Sequence, residues 1–176
     1  MIKLFRHLHV INKHRRLVRK ICFKIGIPLQ GCLHDLSKYS FKEFFPSVKN
    51  FTNGKSSPTA LDRKRNGYSK IWLHHKGLNK HHFEYWIDIN PNTKDYAPIK
   101  MPLKYLKEMF ADRIAASKVY KGESFKNEDP LIYLESHCDR KWMHEETYDE
   151  LKRWLNMYIE KGEKETFKII KNIKRY

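Results

Sequence analysis

The sequence predicts a single all-α domain, and three observations support this expectation. Apolar residues recur at gaps of three and four over most of the chain, which is the spacing of amphipathic helices. Glycine and proline interrupt this pattern where helices would end, and no stretch alternates convincingly as a half-buried strand does. The 176 residues suffice for one domain with a substantial core. We therefore expect one helical bundle of about seven or eight helices over residues 1–176.

The amino-terminal half is predicted to contain four main helices and one short helix. Gly26 ends the first helix, and Pro28 prevents its immediate continuation. The short helix should end before Pro46, Gly77 should stop the third main helix, and Asn79 should cap the fourth. Residues 51–62 are rich in Asn, Gly, Ser and Pro and should form a loop. The predicted helices cover about residues 2–25, 29–38, 40–44, 62–76 and 79–88.

The carboxyl-terminal half begins with a predicted loop over residues 90–98. Pro102 suits the start of a strong helix, and Gly122 suits its end. Asp129-Pro130 opens the next helix. The core of the domain, with its functional site, is expected over about residues 12–118, and the C-terminal helices over about 129–174. The four helices are predicted over about residues 103–120, 129–137, 145–159 and 163–174.

Charge and composition limit the classes of function. A formal net charge of +16 favours polyanionic partners, or else reflects a lysine-rich solvated surface; the sequence leaves both open. No apolar run approaches the roughly 20 residues of a membrane-spanning helix. The first residues lack the apolar segment of a signal peptide, so we expect a cytoplasmic protein. Three cysteines without a Cys-x-x-Cys spacing argue against a disulfide scaffold or a zinc ribbon.

Histidines and aspartates of metal-ligand type recur along the first two thirds of the chain. His34-Asp35 lies within Leu33-His34-Asp35-Leu36-Ser37-Lys38, and two His-His pairs follow. Neutral imidazole nitrogens and carboxylate oxygens together suit first-row divalent metals. A metal centre is the favoured interpretation, and the alternative is a set of solvated or core histidines. The candidate ligands are His14, His34, Asp35, His75, His81, His82 and Asp112.

The segment Leu33–Lys38 resembles the signature of the HD superfamily of metal-dependent phosphohydrolases, whose usual form is His-Asp-x-Gly-Lys. The candidate ligands also occur in the order found in its two-metal phosphodiesterase branch. Ser37 replaces the usual Gly, and the Gly-Tyr-Pro segment of the cyclic-dinucleotide enzymes is absent. Over most of its length, including His81–Trp86 and Met101-Pro102, the chain is also similar to a poorly characterised family of small bacterial and phage proteins.

The superfamily resemblance implies an HD-like helical bundle holding one or two divalent ions, such as Mn, Fe, Ni, Zn, Co or Mg. It further implies that Asp35 and Lys38 are catalytic, with Asp35 bridging two ions or positioning the nucleophile and Lys38 contacting a phosphate oxygen. His74 and His75 compete for one ligand position, and we assign it to His75. Lys38, His74 and Arg113 are then the candidate substrate-binding residues.

The leading hypothesis is a metal-dependent phosphohydrolase or phosphodiesterase acting on a nucleotide or nucleic-acid phosphate ester. One alternative is a basic nucleic-acid-binding helical protein whose metal site is structural or vestigial. A second alternative is a di-iron oxygenase, because HD-like helical scaffolds also hold two irons. The sequence leaves the metal, the substrate and the oligomeric state open.

Overall fold

A computed structural model describes residues 2–53, 56–138 and 140–176. It is predominantly helical, which confirms the predicted all-α class. In the described ranges no helix is both long and apolar enough to cross a bilayer. The α-helices are α1 (Ile2–Lys24), α2 (Pro28–Leu33), α3 (Phe41–Asn50), α4 (Pro58–Asn66), α5 (Lys70–Leu78), α6 (Leu103–Lys121), α7 (Asp129–His137) and α8 (Glu145–Asn172), and the strands are β1 (Ile87–Ile89) and β2 (Tyr96–Pro98).

Helices α1 and α6 pack against each other, and α8 covers α6. Val18 of α1 and Phe110 of α6 are fully buried in one apolar core. The Phe110 ring meets the rings of Trp154 and Phe167 of α8 edge to face. Full burial of each such side chain contributes about 1.5–3 kcal/mol. His14 belongs to the same buried stripe of α1 as Val18, so the packing of α1 directs this histidine inward.

Helix α8 bends at Gly162, whose φ of +72° and ψ of 177° are not helical. Glycine adopts this conformation without the steric penalty of a side chain. The hydroxyl of Thr166 donates to the carbonyl of Met157 across the bend, at 2.9 Å. The two helices predicted over residues 145–159 and 163–174 therefore correspond to the two segments of α8.

The prediction of one helix over residues 29–38 was wrong. Helix α2 ends at Leu33, Asp35 has the left-handed φ of +55°, and Leu36–Tyr39 form a 3-10 helix. The guanidinium of Arg15 explains this early end, because its Nε donates to the carbonyl of His34 at 2.7 Å and its Nη2 to that of Cys32 at 3.0 Å. Because these two carbonyls accept hydrogen bonds from Arg15, they do not require the amides of a further helical turn as donors.

The predicted helix over residues 62–76 is two helices. Gly67, with a φ of +78°, ends α4, and the Ser69 side chain caps α5 by accepting from the amide of Trp72 at 3.1 Å. Helix α4 begins at Pro58, inside the predicted loop, and Gly77 lies within α5. The short helix predicted to end before Pro46 is α3, which continues through this proline to Asn50.

The predicted helix over residues 79–88 does not exist. Asn79 ends α5, and a 3-10 turn at Phe83–Tyr85 leads into strand β1. Strand β1 pairs antiparallel with β2, with Ile87 opposite Pro98, so the prediction of no strand was also wrong here. The Trp86 indole donates to the carbonyl of Lys80 at 2.8 Å, and the Trp86 carbonyl accepts from Ile99 at 2.7 Å. These bonds link the segment to its neighbours and replace helical hydrogen bonds.

Candidate metal centre

The seven candidate ligands come from three helices, α1, α5 and α6, and from two connecting segments, and the fold brings all of them together. They form two overlapping groups that share Asp35, and the ligand atoms of each group lie within 4.8 Å of one another. The first group is His14, His34, Asp35 and Asp112, and the second is Asp35, His75, His81 and His82.

The first group lies between α1, the end of α2 and α6. The Nε2 atom of His14 is 3.0 Å from Oδ1 of Asp112 and 3.2 Å from Nε2 of His34. Oδ2 of Asp35 is 3.5 Å from Nε2 of His14 and 3.3 Å from Nε2 of His34. Two imidazole nitrogens and two carboxylates thus converge on one small volume.

The second group faces the other oxygen of Asp35. Oδ1 of Asp35 is 3.3 Å from Nε2 of His75 and 3.6 Å from Nε2 of His81. The rings of His81 and His82 are 4.2 Å apart between centroids. Among the described residues, the Nε2 atoms of His81 and His82 are buried without a hydrogen-bond partner. A buried imidazole nitrogen without a partner is unfavourable unless a ligand satisfies it.

The backbone places Asp35 between the two groups. Asp35 has φ +55° and ψ 26°, a left-handed conformation that costs roughly 1 kcal/mol or more in residues other than glycine. Asp35 is 1% exposed, so both of its oxygens are directed into the protein. Because one oxygen faces each ligand group, this carboxylate has the arrangement of a bridging ligand.

Two buried glutamates that the sequence analysis did not identify orient the imidazoles. Oε1 of Glu108 lies 2.9 Å from Nδ1 of His34 and 3.1 Å from Nδ1 of His81. Oε2 of Glu43 lies 2.9 Å from Nδ1 of His75. Hydrogen bonds from the histidines hold the pKa of both glutamates below the usual range, although burial alone would raise it. An ionised carboxylate can only accept, so each Nδ1 donates, and Nε2 is the atom of each imidazole that a metal ion could bind.

His34, His81 and Glu108 also form a third group of metal-ligand type. The contacts of Glu108 are hydrogen bonds to Nδ1, which leaves the Nε2 atoms of the two histidines directed toward Asp35. Glu108 is therefore placed to orient the two histidines through their Nδ1 atoms. In the sequence, the involvement of Glu108 was indicated only by its position on α6 one turn before Asp112, which places both residues on one face of the helix.

Burial and neighbouring charges have opposite effects on the pKa of several groups in the candidate centre. Burial alone would lower the pKa of His34, but Asp35 and its other carboxylate partners raise it well above the usual value. Burial alone would raise the pKa of Asp35 and of Asp112, but the neighbouring histidines, and Lys38 at Asp35, lower both well below the usual range. The pKa of His82 is lowered well below normal by burial and by His81. The two aspartates are thus held ionised, and His82 is held neutral, as metal ligands must be.

The three predicted substrate-binding residues have different surroundings. Nζ of Lys38 is 2.6 Å from Oδ2 of Asp35, and its side chain remains 32% exposed. Nδ1 of His74 lies 2.7 Å from Oε1 of Glu43, outside both ligand groups. The guanidinium of Arg113 lies 5.9 Å from the Tyr133 ring, and among the described residues it forms no hydrogen bond or ion pair with a candidate ligand.

Nitrogen and oxygen donors of this type fit first-row divalent ions. The centre is also partly accessible, because 17% of the Asp112 side chain is exposed. The residues present therefore fit one or two divalent ions with an accessible side at Asp112 and Lys38.

Comparison with known proteins places the chain in one family. Residues 3–157 match the model of a family of unknown function, DUF5662. The chain belongs to this family. Neither curated proteins nor solved structures include a significant match to the chain. The matched residues include every member of the two ligand groups.

Proposed function

We propose that this protein is a metal-dependent phosphohydrolase that acts on a phosphate ester of a nucleotide or a nucleic acid. One observation carries the proposal: each oxygen of the buried Asp35 carboxylate faces a different group of imidazoles. A carboxylate shared by two ligand groups could hold two ions close together, as in a two-metal hydrolytic centre. The resemblance of His34-Asp35-x-Ser37-Lys38 to the HD signature supports the same reaction class.

When bound, divalent ions would acidify a water molecule and polarise a phosphoryl oxygen. His14, His34 and Asp112 would hold one ion, His75, His81 and His82 would hold the other, and Asp35 would contact both. With only one ion bound, the same reaction class remains available, because one ion can supply both effects.

The protein's own side chains would position the substrate and keep the ligands in the correct protonation state. Lys38 is partly exposed beside Asp35, and its ammonium carries a positive charge to the accessible side of the centre. Asp35 and the other negatively charged group nearby, Asp112, raise the pKa of Lys38 although burial alone would lower it. Lys38 therefore stays charged at neutral pH and would contact a phosphate oxygen as charge develops in the transition state. Glu108 and Glu43 would keep Nδ1 of the ligand histidines protonated.

The test begins with elemental analysis of protein purified without chelators, followed by a panel of phosphate esters that includes nucleotides and oligonucleotides. Asp35→Ala should lose bound metal and hydrolysis, because it removes the ligand that both groups share. Asp95→Ala, at an exposed carboxylate in the β1–β2 connection, is the matched control and should behave as the wild type. Lys38→Met should retain metal and lower turnover by roughly 10²-fold or more, as loss of a transition-state charge contact does.

The outcomes separate the hypotheses. Absence of stoichiometric metal in the wild type, or full metal content in Asp35→Ala, would contradict the proposal. Tightly bound iron without hydrolysis of any ester would favour the oxygenase alternative. Metal without any activity would favour a structural site in a nucleic-acid-binding protein.

A further inference from the structure

A second concave site lies between α1 and the segment that follows it. This cleft has a volume of about 200 Å³ and is lined by Asn12, Arg15, Arg16, Arg19, Gly31 and Tyr39. Three guanidinium groups therefore share a cleft that contains no carboxylate. No member of the two ligand groups of the metal centre lines it.

Close packing of α2 on α1 shapes the cleft. A Cβ atom at Gly31 would lie 2.6 Å from Cβ of Cys22 and 3.1 Å from Cα of Arg19, so only glycine fits here without movement of the backbone. Arg15 is held in place by the carbonyls of Cys32 and His34 and by the Tyr39 hydroxyl at 3.0 Å. These partners are neutral, and no acidic side chain among the described residues forms an ion pair with Arg15.

Arg16 and Arg19 are exposed, and among the described residues no acidic side chain lies within ion-pair distance of either. Helix α1 contains no acidic residue at all. Elsewhere the protein does pair its basic side chains with acids, as at Lys118 and Glu163, 2.7 Å apart. Positive charges gathered in one concavity repel one another, and an anion bound between them would relieve this repulsion.

Exposed aromatic residues follow Tyr39, which lines the cleft, in the sequence. Phe41 follows Tyr39 by two residues and is 82% exposed, and Phe45 is 51% exposed. Their rings are stacked with centroids 5.6 Å apart. Exposed aromatic rings beside basic groups are the elements that bind unpaired bases and the sugar-phosphate backbone together. An isolated phosphate group or a paired duplex would make no use of them.

We propose that this cleft binds backbone phosphates of a single-stranded nucleic acid, with Arg16 and Arg19 as the main contacts. The planar guanidinium groups match phosphate oxygens in a bidentate manner, which lysine cannot do. The cleft adjoins the metal centre through His34, whose carbonyl bonds Arg15 while its imidazole belongs to the first ligand group. The binding requires no hydrolysis, so the proposal stands apart from the proposed enzymatic activity.

Fluorescence anisotropy with a labelled oligothymidylate of about 20 nucleotides tests the proposal, since a strand of that length exceeds the usual single-strand site size. Arg16→Ala/Arg19→Ala should weaken binding about tenfold or more and reduce the salt dependence by about two phosphate contacts. Lys13→Ala/Lys20→Ala removes the same charge from exposed positions of α1 outside the cleft, and should weaken binding less than about threefold.

Further variants and competing ligands identify the class of molecule that binds. Phe41→Ala should weaken single-strand binding about fivefold or more, whereas Tyr96→Ala, at the exposed hairpin, should not change it. Inorganic phosphate and mononucleotides should compete only at much higher concentration than the oligonucleotide. Equal losses in the two double variants would overturn the proposal, because binding would then depend on diffuse charge. Binding of a duplex as tight as that of the single strand, or competition by inorganic phosphate at the oligonucleotide's own concentration, would also overturn it.

Discussion

Glu108→Gln tests whether a buried carboxylate supports both groups of metal ligands. Oε1 of Glu108 accepts hydrogen bonds from Nδ1 of His34 and from Nδ1 of His81, and these histidines belong to different ligand groups. Glutamine keeps the shape and an accepting oxygen but removes the charge. We therefore expect both groups to bind metal more weakly.

The magnitude follows from the two hydrogen bonds. A hydrogen bond to a charged group contributes about 1.5–3 kcal/mol, and a neutral one about 1 kcal/mol. Loss of the charge thus costs about 1 kcal/mol for each imidazole, which corresponds to roughly fivefold weaker binding in each group. A leucine at this position removes the acceptor as well, and the expected loss is about 10–100-fold, as for other residues that orient metal ligands.

Glu43→Gln is the matched control. Glu43 accepts from Nδ1 of His75, and His75 belongs only to the second group. Isothermal titration of metal-free protein with Mn²⁺ and with Zn²⁺ should show both binding steps weakened in Glu108→Gln and only one in Glu43→Gln. Thermal unfolding of the metal-free proteins shows whether each variant is folded.

Two results would refute this reasoning. Unchanged affinity in Glu108→Gln would mean that the charge of Glu108 does not support the ligands. Complete loss of one ion in Glu108→Gln would mean that Glu108 binds metal directly, as a member of the group that it forms with His34 and His81.

Two further predictions concern stability. Gly31→Ala should lower the free energy of unfolding by about 1–3 kcal/mol, because the new Cβ overlaps Cys22 and the backbone of Arg19. Urea unfolding at neutral pH measures this free energy, and an unchanged midpoint would contradict the packing of α2 on α1. Burial, with Lys38 and Lys3 nearby, lowers the pKa of His7 to about 4. The unfolded chain therefore takes up a proton at His7 before the folded protein does, and stability is lost as the pH falls from about 6.5 to about 4. Over this pH range, the free energy of unfolding of the wild type should fall by about 1–3 kcal/mol more than that of His7→Leu. Urea unfolding at several pH values measures both, and parallel pH profiles of the two proteins would contradict this role of His7.

Much of the fold followed from local patterns in the sequence. The buried stripe of α1 is visible as apolar residues at gaps of three and four, and His14 lies within it. Pro102 and Gly122 bracket α6 as expected. Donor chemistry is likewise a property of residue type, so the sequence alone identifies seven candidate ligands. These features depend on neighbours within one or two helical turns, which a sequence displays directly.

The tertiary structure decided the features that depend on distant partners. At the end of α2, Arg15 binds carbonyls of residues that follow it by 17 and 19 positions, and Asp35 has a left-handed backbone where a helix was predicted. The segment from Asn79 became a turn and a strand because its hydrogen bonds join it to α5 and to β2.

Glu108 was not predicted as part of the centre, because it lies 74 residues from His34 and no local pattern links them. The choice between His74 and His75 also needed the fold, since both lie on α5 and only His75 faces Asp35. Neighbouring residues on a helix point about 100° apart, so the orientation of the whole helix decides which one reaches the site. Residue types and their order therefore indicated the candidate ligands, while the packing of α1, α5 and α6 determined which of their atoms converge and which carboxylates lie beside them.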